Sequence, residues 1–187
     1  MPYIPLESHL PGITGLLEYR KETGQPIREL TEILLRGPST LTRAERELVA
    51  TVVSNGNQCK FCSAAHAATV DMLLGESETC MLVKADISTA PVSEKMKALL
   101  TIADKVREDG KLVTPAHIAA AKAAGATDLE IHDTVLRAGL FCLYTRYVDG
   151  MATAMPEDDS YLTMLAGRLV NHGYYRLPQG YDHLKKT

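Results

Sequence analysis

Apolar residues recur along most of the chain at the three- and four-residue spacing that is typical of amphipathic helices. One of these runs, with Leu48 and Val52, follows the segment Thr42–Glu45, whose Thr-Arg-Ala-Glu order is a capping box that begins a helix. A second capping box begins a longer run at Thr127. The strongest competing pattern is the β-branched stretch at 47–54, but it lies inside the first capped run. The pattern therefore predicts an all-α fold.

Turn residues divide this pattern into separate helices. Gly75 is placed to end one helix as a C-terminal cap, and Pro26 suits the first turn of another. An Asn-Gly-Asn turn at 55–57 separates two helices that would form a hairpin. The predicted helices cover residues 12–21, 27–36, 42 to about 54, 59–74, 77–84, 93–110, 114–125, 127 to about 155 and 161–171.

A chain of 187 residues can bury a core without disulfides or metals, and we predict a single domain over residues 1–187. Its helical core would span about 5–155, and a C-terminal helix and tail would span 156–187. The tail is polar and carries Tyr174, Tyr175 and Tyr181. We expect it to pack as an arm against the domain or against a neighbouring subunit.

Composition and charge narrow the class of protein. The net charge of −3, the absence of Trp and the presence of only two Phe argue against a basic, base-stacking nucleic-acid binder. The N-terminus does not resemble a secretory signal, and no run reaches the roughly 18 apolar residues of a membrane span, so we expect a cytoplasmic protein. In that compartment four cysteines are not a disulfide scaffold. No Gly-rich phosphate loop occurs, and we expect no organic cofactor.

The strongest chemical signal is a pair of cysteines followed by a histidine. Cys59, Cys62 and His66 are spaced i, i+3, i+7 and therefore share one face of a helix. Two Cα atoms three positions apart in a helix lie about 5 Å from each other, which a disulfide tolerates. The preceding turn would place Cys59 in the first helical turn, where free N–H groups and nearby Lys60 stabilise a thiolate. This arrangement indicates redox chemistry.

A carboxylate precedes this pair by twelve positions. In a tight helical hairpin Glu47 would fold back beside the cysteine face, where it could orient His66 and relay a proton. Glu45 is a competing candidate, but its position in the capping box already gives it a local role.

Other interpretations of the cysteines stay open from the residues alone. The pair could be buried structural thiols, and Cys80 and Cys142 are expected to be core residues of that kind. A zinc site would need four ligands, of which Cys59, Cys62 and His66 supply three. We expect no metal.

One combined pattern consists of Glu47, eleven residues, Cys59-x-x-Cys62, three residues and His66. This pattern resembles the signature of AhpD-like alkylhydroperoxidases in the carboxymuconolactone decarboxylase superfamily. Three further segments, which resemble helices of the peroxidase-related branch of that superfamily, are Leu41–Val49, Gly125–Ile131 and Phe141–Asp149. The resemblance covers roughly residues 5–155. It implies an all-helical, AhpD-like bundle that forms homo-oligomers.

The resemblance also implies roles for the site residues. Cys62 would attack a hydroperoxide and become a sulfenic acid, and Cys59 would then form the disulfide. His66 and Glu47 would relay the proton, and a lipoyl or thioredoxin-like dithiol would reduce the disulfide. Phe61 stands where well-studied members have a histidine. The dipole of the helix favours ionisation of Cys59, whereas the proton relay favours Cys62 as the attacking sulfur.

From these observations we predict a two-cysteine thiol peroxidase or disulfide oxidoreductase that reduces alkyl hydroperoxides. Two alternatives stay open. One is a decarboxylase-like lyase of the same superfamily, whose chemistry would not need the cysteines. The other is a non-catalytic oligomeric module that uses the cysteine pair as a redox sensor.

Overall fold

The structure, a computed structural model, describes residues 1–158 and 160–181. Within these residues the chain forms nine α-helices and one short 3-10 helix, Gly110–Leu112, without a β-strand. The all-α prediction is therefore confirmed. The α-helices are α1 (Ile13–Tyr19), α2 (Lys21–Arg36), α3 (Arg43–Gly56), α4 (Lys60–Leu74), α5 (Glu78–Ala85), α6 (Glu94–Glu108), α7 (Pro115–Ala123), α8 (Asp128–Gly150) and α9 (Ser160–His172).

The two capping boxes form as the sequence pattern predicts. The Thr42 side chain accepts the N–H of Glu45, and the Glu45 carboxylate accepts the N–H of Thr42. Thr127 and Glu130 make the same pair of bonds at the start of α8. Gly75 ends α4 in the left-handed conformation, with φ of 74°. These helix ends are local features, which explains why they can be recognised in the sequence.

Two predicted helix ends are wrong. Helix α2 begins at Lys21, because Arg20 is extended and ends α1, so Pro26 lies inside the helix. At the sixth position of α2 the proline lacks the N–H that would otherwise bond to the carbonyl of Glu22. Helix α8 ends at Gly150 and not near residue 155. There Ala152 is left-handed and the N–H of Thr153 bonds back to the carbonyl of Val148.

Among the described residues the helices pack around three apolar clusters, two of which share α4 and α8. The larger cluster lies between α2, α3, α6 and α8 and contains Leu35, Val49, Val53, Leu100 and Phe141, all completely buried. The second cluster lies between α1, α4, α8 and α9 and contains both residues of the cysteine pair. The α3–α4 hairpin thus carries the cysteines into the interior between the two clusters.

The chain after α9 folds back onto the same domain. The N–H of Tyr174 donates to the Glu32 carboxylate on α2, 2.7 Å away, and Arg168 on α9 donates to the carbonyl of Tyr175. Tyr181 is buried, with the guanidinium groups of Arg28 and Arg168 packed on its ring. The described part of the tail, up to Tyr181, is therefore an arm on its own domain. The rest of the tail, 182–187, lies outside the described residues.

None of the helices in the described parts of the chain combines the length and the apolar character that crossing a membrane requires.

Candidate functional site

The turn between α3 and α4 positions the first cysteine. Helix α3 continues through Gly56, and Gln58 then adopts a left-handed conformation with φ of 60°. Cys59 is extended and serves as the N-cap of α4, so it lies just before the first helical turn and not inside it. The Asn57 amide donates to the Thr145 hydroxyl on α8 at 3.0 Å, which ties the turn to the core.

The two sulfurs face each other. Their Sγ atoms lie 3.0 Å apart, within hydrogen-bonding distance, and the residues are 0 % and 3 % exposed. The bond with Cys62 is the main reason that the pKa of Cys59 is lowered, and the backbone of Cys62 lowers it further. The same bond, together with burial, raises the pKa of Cys62. The pair is therefore asymmetric: the pKa of Cys59 lies below its ordinary value and that of Cys62 above it, and the bond between them, not the dipole of the helix, is the main cause.

Beside the cysteines lies a chain of three polar side chains. His66 Nδ1 lies 2.7 Å from Glu47 Oε2, and the Tyr174 hydroxyl donates to Glu47 Oε1 at 2.5 Å. As a carboxylate, Glu47 can only accept, so Nδ1 of His66 carries a proton and Nε2 is left as the acceptor. The His66 ring also meets the Phe141 ring edge-on, with centroids 4.6 Å apart. The imidazole is thus held by both polar and apolar contacts.

Two buried arginines compensate the charge of Glu47, which is only 3 % exposed. Burial lowers the pKa of Arg137 to about 10, and the charges of Asp133 and Glu47 oppose that change. Burial likewise lowers the pKa of Arg46, and Glu47 is the leading charge that counteracts it. Since a buried carboxylate is costly without compensation, these cations help to keep Glu47 in the interior.

A cavity of about 60 Å³ opens beside Cys62 and His66. A water molecule takes up roughly 30 Å³ in the liquid, so this volume holds about two waters or one small peroxide. Its wall is mostly apolar and is supplied by α1, α2, α4, α8, α9 and the tail; the lining includes Ile13, Leu17, Phe61, Ala65, Phe141, Leu165, Leu169 and Tyr174. Cys59 does not line it. The more acidic sulfur thus lies behind the sulfur that faces the cavity.

Phe61, which lies between the two cysteines in the sequence, forms one wall of this cavity. Its ring packs directly on Gly12, where a Cβ atom would overlap the ring, and Gly12 has φ of 60°. The ring of Tyr161 on α9 lies 6.5 Å away, centroid to centroid. The residue between the cysteines is therefore a packing group and not a proton carrier.

Comparison with known proteins agrees with this geometry. Residues 21–74, which include α2, α3 and α4, match the sequence profile of the carboxymuconolactone decarboxylase family. A solved structure of an uncharacterized peroxidase-related protein from Silicibacter sp. is 26% identical, with a TM-score of 0.74 over 81% of this chain and 78% of that chain. Residues 21–74 thus belong to the carboxymuconolactone decarboxylase family, and the chain has the fold of AhpD-like, peroxidase-related proteins.

Two further structures share the fold of this AhpD-like chain. An alkylhydroperoxidase AhpD core from Ralstonia eutropha, an uncharacterized peroxidase-related protein, is 23% identical with a TM-score of 0.74 over 83% of this chain and 80% of that chain. A protein of unknown function from Agrobacterium tumefaciens is 20% identical with a TM-score of 0.65 over 76% of this chain and 97% of that chain. No curated protein matches the sequence significantly.

The AhpD-like fold brings together all four residues that the sequence singles out, Cys59, Cys62, His66 and Glu47. The competing candidate Glu45 is half-buried and occupied by its capping box. Tyr174 also joins the site, and no sequence signal indicates it, because 127 residues separate it from Glu47 and no periodic pattern links them.

The other cysteines of the AhpD-like chain lie outside this site. Cys80 is buried, and burial raises the pKa of its thiol to about 11. Cys142 was expected in the core but is only half-buried, beside Asn57 and the carbonyl of Arg107. Across residues 1–158 and 160–181, no group of three or more His, Cys, Asp or Glu side chains is placed to hold a metal ion.

Proposed function

We propose that this AhpD-like protein is a two-cysteine thiol peroxidase, or disulfide oxidoreductase, that reduces hydroperoxides through a Cys59–Cys62 disulfide. The observation that carries the proposal is the pair of sulfurs 3.0 Å apart, one of which opens on a small cavity beside a carboxylate-bound imidazole. The matched family and the similarity to peroxidase-related structures are consistent with an enzyme.

The geometry supports Cys62 as the first attacker. It lines the cavity with His66, whereas Cys59 does not. His66 takes the proton of the Cys62 thiol, and the sulfur attacks the terminal oxygen of ROOH. The S–O bond forms as the O–O bond breaks, and His66 returns the proton to RO⁻, which leaves as ROH. Cys62 is then a sulfenic acid, oxidised by two electrons.

The lowered pKa of Cys59 fits the second step, because resolution requires a thiolate. The Cys59 thiolate attacks the sulfur of the sulfenic acid, the S–S bond forms, and hydroxide leaves and takes a proton from solvent to become water. An external dithiol then returns two electrons by thiol–disulfide exchange. We propose a lipoyl or thioredoxin-like protein as that donor, and a homo-oligomer as the working assembly.

The test is to count free thiols after one equivalent of hydrogen peroxide, which fits the cavity. We expect the wild type to lose two thiols. Cys59→Ser should lose one thiol and accumulate a sulfenic acid at Cys62, which dimedone would trap, and Cys62→Ser should lose none. A sulfenic acid that appears at Cys59, or a wild type that keeps all its thiols, contradicts the proposal.

A decarboxylase-like lyase is the second candidate, because the matched family carries that activity in its name. Such a reaction does not need a sulfur nucleophile. The Cys62→Ser variant separates the two candidates, since a lyase would keep its activity and a peroxidase would lose it.

A further inference from the structure

The C-terminal arm contributes a side chain to the site beside the cysteines. Tyr174 follows α9 and lies outside the residues that match the family profile. Yet its hydroxyl donates to Glu47 Oε1 at 2.5 Å, while the other carboxylate oxygen lies 2.7 Å from His66 Nδ1. Its ring also stacks on the imidazole, with centroids 6.4 Å apart and planes 17° from parallel. Tyr174 thus touches both members of the carboxylate–imidazole pair.

The chain holds this tyrosine in place by contacts that do not involve the site. Its N–H donates to Glu32 Oε2 at 2.7 Å, and Arg36 donates to the carbonyls of Leu169 and Val170 at the end of α9. Gly173 makes the reversal possible, because its φ of 75° is left-handed and a Cβ atom there would overlap the Glu32 carboxylate. The arm is therefore built to deliver the phenol to Glu47.

The phenol can act only as a donor in this setting. Burial and the charge of Glu47 raise the pKa of Tyr174 well above its ordinary value, so the hydroxyl keeps its proton throughout the physiological range. A carboxylate with a fixed donor on one oxygen presents the other oxygen to the imidazole in a single orientation. Partners that bond to the group behind a reacting histidine set the tautomer and orientation of that histidine.

We infer that Tyr174 is a positioning residue of the site: through Glu47 it keeps the proton of His66 on Nδ1 and leaves Nε2 as the base of an imidazole that lines the cavity. This inference rests on the proposed function for its consequence, the proton transfer at Cys62. The geometric part, the tautomer of His66, can be measured without any turnover. The C-terminal arm thereby contributes to a site whose other parts lie on the α3–α4 hairpin.

The test variant is Tyr174→Phe, which removes the hydroxyl and keeps the ring. Its matched control is Tyr175→Phe, since the neighbouring hydroxyl is on a half-exposed side chain. The ¹⁵N shifts of His66 report the tautomer. We expect one Nδ1-protonated form in the wild type and in the control, and a mixture in Tyr174→Phe. The rate of Cys62 oxidation should fall about 10- to 100-fold in Tyr174→Phe alone, the range seen when such supporting partners are removed.

The inference is overturned if Tyr174→Phe keeps a single Nδ1-protonated tautomer and the wild-type rate, or if the wild type itself shows a mixture. Should Tyr174→Phe fail to fold, Gly173→Ala gives the same readout, because the strained reversal moves the phenol away from Glu47. A changed tautomer in a protein that never reduces hydroperoxide would refute the proposed function and leave the positioning role intact.

Discussion

Replacing Cys62 by alanine removes the thiol that hydrogen-bonds to the Cys59 sulfur at 3.0 Å. That bond is the leading cause of the lowered pKa of Cys59, and it opposes the burial that raises the pKa of this completely buried residue. Without the bond, the effect of burial is no longer balanced. We therefore expect the pKa of Cys59 to rise in Cys62→Ala.

The size of this effect follows from the bond that is lost. A hydrogen bond to a charged group contributes about 1.5–3 kcal/mol, so the thiolate population of Cys59 at neutral pH should fall by about 10- to 100-fold. The charge of Asp149, which already raises the pKa of Cys59, acts in the same direction.

The measurement is the thiolate absorbance near 240 nm as a function of pH, in a background where Cys80 and Cys142 are serine. A matched control is Cys62→Ser, in which a hydroxyl can still donate, and it should lie between the wild type and Cys62→Ala. A Cys59 that titrates at the same pH or at a lower pH in Cys62→Ala would refute this account of the pair.

Two further predictions concern acid stability and substrate size. Burial alone would raise the pKa of Glu130, but bonds from Lys95, the Thr127 N–H and Thr40 outweigh it and lower the pKa from 4.5 to about 2. A lowered pKa stabilises the fold above pH 4.5, and up to about 3 kcal/mol of the free energy of unfolding should be lost as the pH falls to 2. Urea unfolding should show this loss in the wild type and a much smaller loss in Glu130→Gln. Phe61→Ala should destabilise the fold by about 3–5 kcal/mol. It should also enlarge the 60 Å³ cavity, so that the rate with cumene hydroperoxide increases relative to hydrogen peroxide, and an unchanged ratio would contradict the assignment of the cavity as the substrate site.

Features that depend on a few neighbouring residues are determined by the sequence alone. The capping boxes at Thr42 and Thr127 need only residues three apart, and the shared face of the cysteine pair and His66 needs only helical spacing. The contact between Glu47 and His66 also follows from the sequence, because a short turn makes two successive helices pack side by side. The family resemblance depends on these same local relations.

Other features were decided by packing between distant segments. Pro26 lies inside α2 because the extended Arg20 ends α1 before it, and α8 stops at Gly150 because the chain reverses at Ala152. Arg20 lies in a segment without a turn signal, whereas the dipeptide Asp149-Gly150 is a turn signal that marks the observed end of α8.

The site itself shows the same division. Its four candidate side chains can be named from the sequence, but the difference in acidity between the two cysteines, the burial of Cys59 and the cavity beside Cys62 arise only when α1, α8 and α9 pack against the hairpin. Tyr174 is the clearest case. Its bond to Glu47 joins residues 127 positions apart, and no local propensity or periodicity encodes a contact that forms only after the arm has folded back across α2.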